Sequence, residues 1–96
     1  MKIEPHHLEI VKEILRKHVP ECEVWAFGSR VHGHNLKDSS DLDLVLRGKE
    51  AIPAMQYANL KTAFEESDLP FKVDVVDWRR IADDFRTVIS EAYEII

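Results

Sequence analysis

Asp41 and Asp43 stand two residues apart in the run Asp41-Leu42-Asp43-Leu44-Val45-Leu46. On an extended strand, side chains at i and i+2 point to the same face, so the two carboxylates share one. Such neighbours repel unless a cation lies between them. Hard oxygen donors at this spacing suit Mg²⁺, which keeps several waters and takes its remaining ligands from phosphates. The plainer alternative for the pair is a solvated strand edge. Asp74 shifts the balance, because it interrupts the apolar run Val73-Asp74-Val75-Val76. A carboxylate in a buried strand is costly unless it is paired or metal-bound. If the two strands are neighbours, three carboxylates converge. Asp77 falls on the other face and reads as a helix cap or an exposed residue.

Gly28-Ser29 supplies a possible phosphate side. Glycine at a strand end lets backbone approach a ligand closely. Ser29 offers a hydroxyl and a backbone N–H at the start of a helical turn, where anions are favoured. Arg30 adds a planar cation suited to phosphate or to stacking on a base. Gly-Ser alone suits any strand-to-helix turn; here a carboxylate pair follows on the next strand.

The histidines and the cysteine take blander readings. His6 and His7 read as solvated at the start of the first helix, and His18 as a cation near its C-terminus. His32 and His34 flank Gly33 on a surface loop, with too few further ligands for zinc. Cys22, the one cysteine, reads as a packed or half-exposed thiol, and no intrachain disulfide can form.

The elements that must hold these residues are legible from periodicity. Residues 4–18 read as a helix opened by Pro5 and stopped by Pro20, with Leu8, Ile10, Val11, Ile14 and Leu15 on its apolar side. Glu23-Val24-Trp25-Ala26-Phe27 reads as a strand ending at Gly28, followed by a short helical turn and a polar loop. The Asp41–Asp43 segment is a second strand, ended by Gly48. Residues 52–67 read as a helix with an apolar stripe of Ile52, Met55, Ala58, Leu60 and Phe64, broken at Asp68-Leu69-Pro70. Phe71-Lys72-Val73-Asp74-Val75-Val76 is a third strand. Residues 79–94 read as a final helix through Ile81, Phe85, Val88, Ile89 and Ala92, with Tyr93-Glu94-Ile95-Ile96 as helix core or a contact surface. The expectation is one domain over residues 1–96, of α/β (α+β) class, with a small mixed sheet of at least three strands and flanking helices.

Composition narrows the function. A chain of 96 residues supports a modest core and leaves little area for a second substrate-binding lobe. The formal net charge of −5 argues against direct nucleic-acid binding through many phosphate contacts. It permits a nucleotide neutralised locally by metal, and a basic protein partner. No apolar run approaches the roughly 18 residues of a membrane span, and Met1-Lys2-Ile3-Glu4-Pro5 lacks a signal-peptide core. The default expectation is a cytoplasmic protein.

Gly28-Ser29-Arg30-Val31-His32-Gly33 followed by Ser40-Asp41-Leu42-Asp43-Leu44 resembles the signature of the DNA polymerase beta-like nucleotidyltransferase superfamily. In that pattern a Gly-Ser pair precedes a D-x-D, and a third Asp comes from a later strand. Val24-Trp25-Ala26-Phe27-Gly28-Ser29-Arg30 and Asp68-Leu69-Pro70-Phe71-Lys72-Val73-Asp74 are similar to the minimal nucleotidyltransferases within it, so the resemblance spans nearly the full chain. The eleven residues from Arg30 to Ser40 are one more than the usual spacing; an extra loop residue absorbs the difference without moving either strand.

The resemblance implies a polymerase beta-like core in which Asp41, Asp43 and Asp74 bind metal and catalyse, with two Mg²⁺ ions. It implies that Gly28 and Ser29 hold the β- and γ-phosphates of a nucleoside triphosphate, that Arg30 contacts phosphate, and that Asp74 helps activate the attacking hydroxyl. It further implies AMP transfer from ATP to a tyrosine of a HEPN-type or related four-helix partner, as the antitoxin of a toxin–antitoxin pair. Two alternatives stand beside this. One is a non-catalytic module that neutralises a helical partner by contact. The other, ranked lower for want of a substrate lobe, is a small-molecule (antibiotic) nucleotidyltransferase.

Overall fold

The computed structural model describes residues 1–33 and 40–96. Along the chain run α1 (Pro5–His18), β1 (Glu23–Phe27), α2 (Ser29–His32), β2 (Leu42–Arg47), α3 (Ala54–Glu65), β3 (Val73–Asp77), α4 (Asp83–Glu91) and β4 (Tyr93–Ile95). The strands form one mixed sheet in the order β3-β2-β1-β4. β1 runs antiparallel to both its neighbours, and β2 runs parallel to β3. A parallel pair needs a crossover, and α3 supplies it. The expected class, a small mixed sheet with flanking helices, is the one found.

Strand alternation divides the core between two faces. Val24 and Ala26 of β1, Leu42, Leu44 and Leu46 of β2, and Val75 of β3 pack with Val11 and Leu15 of α1 and Leu60 and Phe64 of α3. The opposite set, Trp25 and Val45 with the half-buried Phe27 and Val76, packs with Ile89 of α4. Apolar cover on both sides explains why β2 turns almost wholly apolar after Asp43. α1 begins with Pro5, whose missing N–H costs nothing in the first turn. Arg16, Lys17 and His18 occupy its last turn, where positive charge meets the helix dipole favourably. Gln56 of α3 donates to the His18 carbonyl at 2.8 Å and so ties the two helices together.

Away from the site, the fold departs most from the sequence reading in three places. The final helix stops at Glu91, and Tyr93–Ile95 forms a fourth strand on the free edge of β1. Its ring and ladder partners explain the change. Tyr93 stacks on Trp25 with centroids 3.8 Å apart, and the Ile96 N–H donates to the Val24 carbonyl at 2.9 Å. The stripe on α3 is narrower than its apolar residues suggest. Leu60 and Phe64 are buried and Ile52 is buried ahead of the helix, but Met55 and Ala58 face solvent. Asp77 is neither exposed nor a helix cap. It is buried on the α1–α3 face, where it accepts the Ile52 N–H at 2.7 Å and the Arg79 N–H at 2.9 Å and pairs with Arg80.

Candidate active site

The parallel register sets Asp43 of β2 directly beside Asp74 of β3. Alternation puts both carboxylates on the α4 face, at the starts of their strands. Asp41 immediately precedes β2 and is exposed. On the other side of Asp43, antiparallel pairing places Phe27, and with it the β1-to-α2 turn at Gly28-Ser29. Five of the residues singled out by chemistry are thus gathered at one end of the sheet.

Gly28 has a positive φ of 79°, a conformation that side chains disfavour. A Cβ built there would collide with Oδ2 of Asp43. Glycine therefore does two things at this point: it makes the turn, and it lets backbone lie against the carboxylate. The Gly28 carbonyl accepts the N–H groups of Val31 and His32 at 3.0 and 3.1 Å, which starts α2 with Ser29 in its first position. N–H groups in a first turn lie outside the intrahelical ladder. Gly33, in the left-handed conformation, ends the helix and donates to the Ser29 carbonyl.

Electrostatics mark Asp43 within the group. Burial, then the charges of Asp74 and Asp41, push its carboxyl up to about 6. Asp74 has a different setting from the buried strand expected of it. It lies on the outer strand of the sheet, its side chain 42% exposed, with the Lys72 ammonium 3.3 Å from Oδ1. A groove of about 430 Å³ follows this edge between α3 and β3 and reaches Asp74, with Lys61, Phe64, Leu69, Phe71 and Lys72 among its walls.

Among the described residues, no three acidic, imidazole or thiol side chains come together as a group that could hold a metal ion, so the expected convergence of Asp41, Asp43 and Asp74 on one ion is not found. An octahedral cation that keeps waters and binds substrate phosphates needs only one or two protein carboxylates. The donor chemistry fits such an ion. Asp43 and Asp74 are hard oxygen donors held side by side, and the like-charge repulsion on Asp43 is what a divalent cation relieves.

Arg30 is set differently from the phosphate contact expected of it. It is buried, it donates to the carbonyls of Ser40 and Lys2, and its guanidinium lies over the Phe71 ring. Phe71 and Lys72, named in sequence only as part of the third strand and of the resembling segment, touch Arg30 and Asp74 here. His32 is exposed. His34 lies outside the described residues. Cys22 is half-buried, well along the sheet from the carboxylates.

A family model described as polymerase beta, nucleotidyltransferase matches residues 9–96. That is most of the chain. The chain belongs to the polymerase beta nucleotidyltransferase family. Within this nucleotidyltransferase family, it is 46% identical over 96 residues to the probable protein adenylyltransferase MntA of Haemophilus influenzae, covering all of this chain and 83% of that protein. Solved structures share the fold at lower identity. A toxin–antitoxin with AMP-PNP superposes with a TM-score of 0.74 at 20% identity, over 91% of this chain and 69% of that one. A mutant of the MntA-HpeT toxin–antitoxin gives 0.74 at 19% identity, over 99% and 72%.

Proposed function

We propose that this nucleotidyltransferase moves AMP from ATP, with Mg²⁺, onto a tyrosine hydroxyl of a HEPN-type helical partner, as the antitoxin of a toxin–antitoxin pair. The observation that carries the reading is the register of Asp43 against Asp74, with Gly28 seated against the Asp43 carboxylate. Support for adenylyl transfer comes from the relative at 46% identity, itself named as a probable protein adenylyltransferase. Support for the pairing comes from that relative's name, MntA, which recurs in a solved toxin–antitoxin of the same fold.

The chemistry follows from the placement. The acceptor oxygen attacks the α-phosphorus of ATP, the bond from that phosphorus to the bridging oxygen breaks, and pyrophosphate leaves. The proton of the acceptor hydroxyl passes to Asp74. Gly28 and Ser29 hold the β- and γ-phosphates through the opening of α2 and the Ser29 hydroxyl. Asp41 and Asp43 would hold the metal, and Asp74 would complete the site. When bound, the Mg²⁺ ions supply positive charge where the entering and departing oxygens develop negative charge. The protein's own part is to hold the reacting groups in line. The groove along β3 gives a protein acceptor an approach to Asp74 from the sheet edge. A cytoplasmic location goes with this reading, since ATP is its donor.

Mass spectrometry of the purified partner, incubated with this protein, ATP and Mg²⁺, tests the reading. The expected result is a single AMP adduct on a tyrosine. A phosphate adduct, or a partner left unmodified, contradicts it. A partner neutralised but unmodified supports the contact-only module instead.

A further inference from the structure

Arg30 follows Ser29 in sequence, yet it is only 5% exposed. Its Nε donates to the Ser40 carbonyl at 2.9 Å and its Nη1 to the Lys2 carbonyl at 2.8 Å. Its Cζ stands 4.2 Å from the centroid of the Phe71 ring. The Lys2 N–H donates back to the Arg30 carbonyl at 2.7 Å. Two of these partners lead into the candidate active site. Ser40 immediately precedes Asp41. Phe71 precedes Lys72, whose carbonyl accepts the Leu42 N–H, between Asp41 and Asp43, at 2.9 Å. The Lys72 ammonium lies 3.3 Å from Asp74. Arg30 itself rides on α2, which begins at Ser29.

We propose that Arg30 is a positioning residue, whose buried guanidinium sets the Gly28-Ser29 turn, Asp41 and the start of β3 at fixed separations. The proposal rests on the nucleotidyltransferase reading of the site. It replaces a phosphate contact with a brace behind the site.

The chemistry of arginine suits the task. A guanidinium is planar and permanently charged, and it donates along its edge while its face lies on an aromatic ring. Lysine carries the charge but has a compact head that cannot span two carbonyls and stack at once. A buried cation is also demanding: it stays favourable only while its partners hold their positions. The same bonds close the chain from Arg30 to Ser40 at both ends.

The test compares wild type with Arg30→Lys and Phe71→Leu. Adenylyl transfer gives kcat, the KM for ATP and the Mg²⁺ concentration at half-maximal rate. Amide hydrogen exchange at Leu42 is followed without nucleotide. In Arg30→Lys, kcat falls about tenfold or more and the Mg²⁺ requirement rises, while the KM for ATP moves by less than about threefold. Leu42 exchange speeds up about tenfold, while Ile96, bonded to Val24 across the sheet, keeps its protection. Phe71→Leu moves the same quantities less, and it carries the test if Arg30→Lys does not fold. A KM for ATP raised about tenfold with kcat, Mg²⁺ requirement and Leu42 exchange unchanged makes Arg30 a phosphate ligand and overturns the proposal. Wild-type values throughout overturn it as well. Wild type without transfer activity contradicts the reading of the site instead, and Leu42 exchange then decides the role of Arg30 by itself.

Discussion

At the scale of single residues, the site is organised around an unfavourable charge. Asp43 and Asp74 lie side by side, and Asp43 is half-buried. In the metal-free protein this arrangement works against folding, so Asp43→Asn removes a destabilising charge. After screening by solvent the gain is about 0.5 kcal/mol, or roughly 2–4 °C in Tm. Thermal melts in EDTA at neutral pH check this; a clearly lower Tm in the variant would mean that the charge supports the fold. Gly28→Ala has the opposite sign. The new methyl group meets the Asp43 carboxylate, and the backbone has φ of 79°. The expected cost is about 1–3 kcal/mol together with loss of transfer; a variant as stable as wild type would show that the turn relaxes freely.

Cys22 gives a pH test away from the site. Burial, then the charges of Glu21 and Asp77, push its thiol from 9.0 up to about 11. The thiolate is the reactive form, so alkylation by iodoacetamide at pH 8 is slow and climbs until pH nears 11. The group contributes its full stability below its unfolded value of 9.0 and loses it as pH rises through about 11. A rate that levels off near pH 9 contradicts the buried setting.

Residue types made part of this site legible. Gly28, Ser29, Asp41 and Asp43 signal through local spacing, because a strand end and an i, i+2 pair are properties of short segments. The setting of Arg30 was not legible, for the converse reason. Its neighbours in sequence suggested phosphate, while its carbonyl partners lie ten and 28 residues away. Asp74 was singled out on the premise of burial, but it lies on an outer strand; its register beside Asp43 is what matters.

At the scale of elements, β2 and β3 carry the carboxylates, and Asp77 secures the far end of β3. Its carboxylate accepts the Ile52 N–H from the β2–α3 connection and the Arg79 N–H of the following turn. Asp77→Ala leaves a buried N–H without its acceptor and costs about 2–4 kcal/mol. In a domain of this size that lowers Tm by about 10 °C or more. A shift below about 3 °C would mean that water replaces the carboxylate. This role was illegible in sequence because Ile52 lies 25 residues away. α1 and the first three strands were legible because their apolar periodicity is strong and bounded by Pro and Gly. β4 was not. Ile89 and the residues before it carry a helical period, and only the ring of Trp25 and the edge of β1 show that Tyr93 continues as a strand.

At the scale of the whole molecule, a small acidic chain built on one sheet presents its carboxylates at the same end as its glycine turn, with a groove leading in along β3. Under the proposed function that end carries the chemistry, and the groove suits an acceptor carried on another protein. The most direct measurement is transfer of label from α-labelled ATP to the proposed helical partner, by wild type and by an Asp41→Asn/Asp43→Asn variant. The account predicts Mg²⁺-dependent label on the partner with wild type, and a loss of about a hundredfold or more with the variant. Equal labelling by the two proteins would contradict it, and would take the carboxylates out of the reaction.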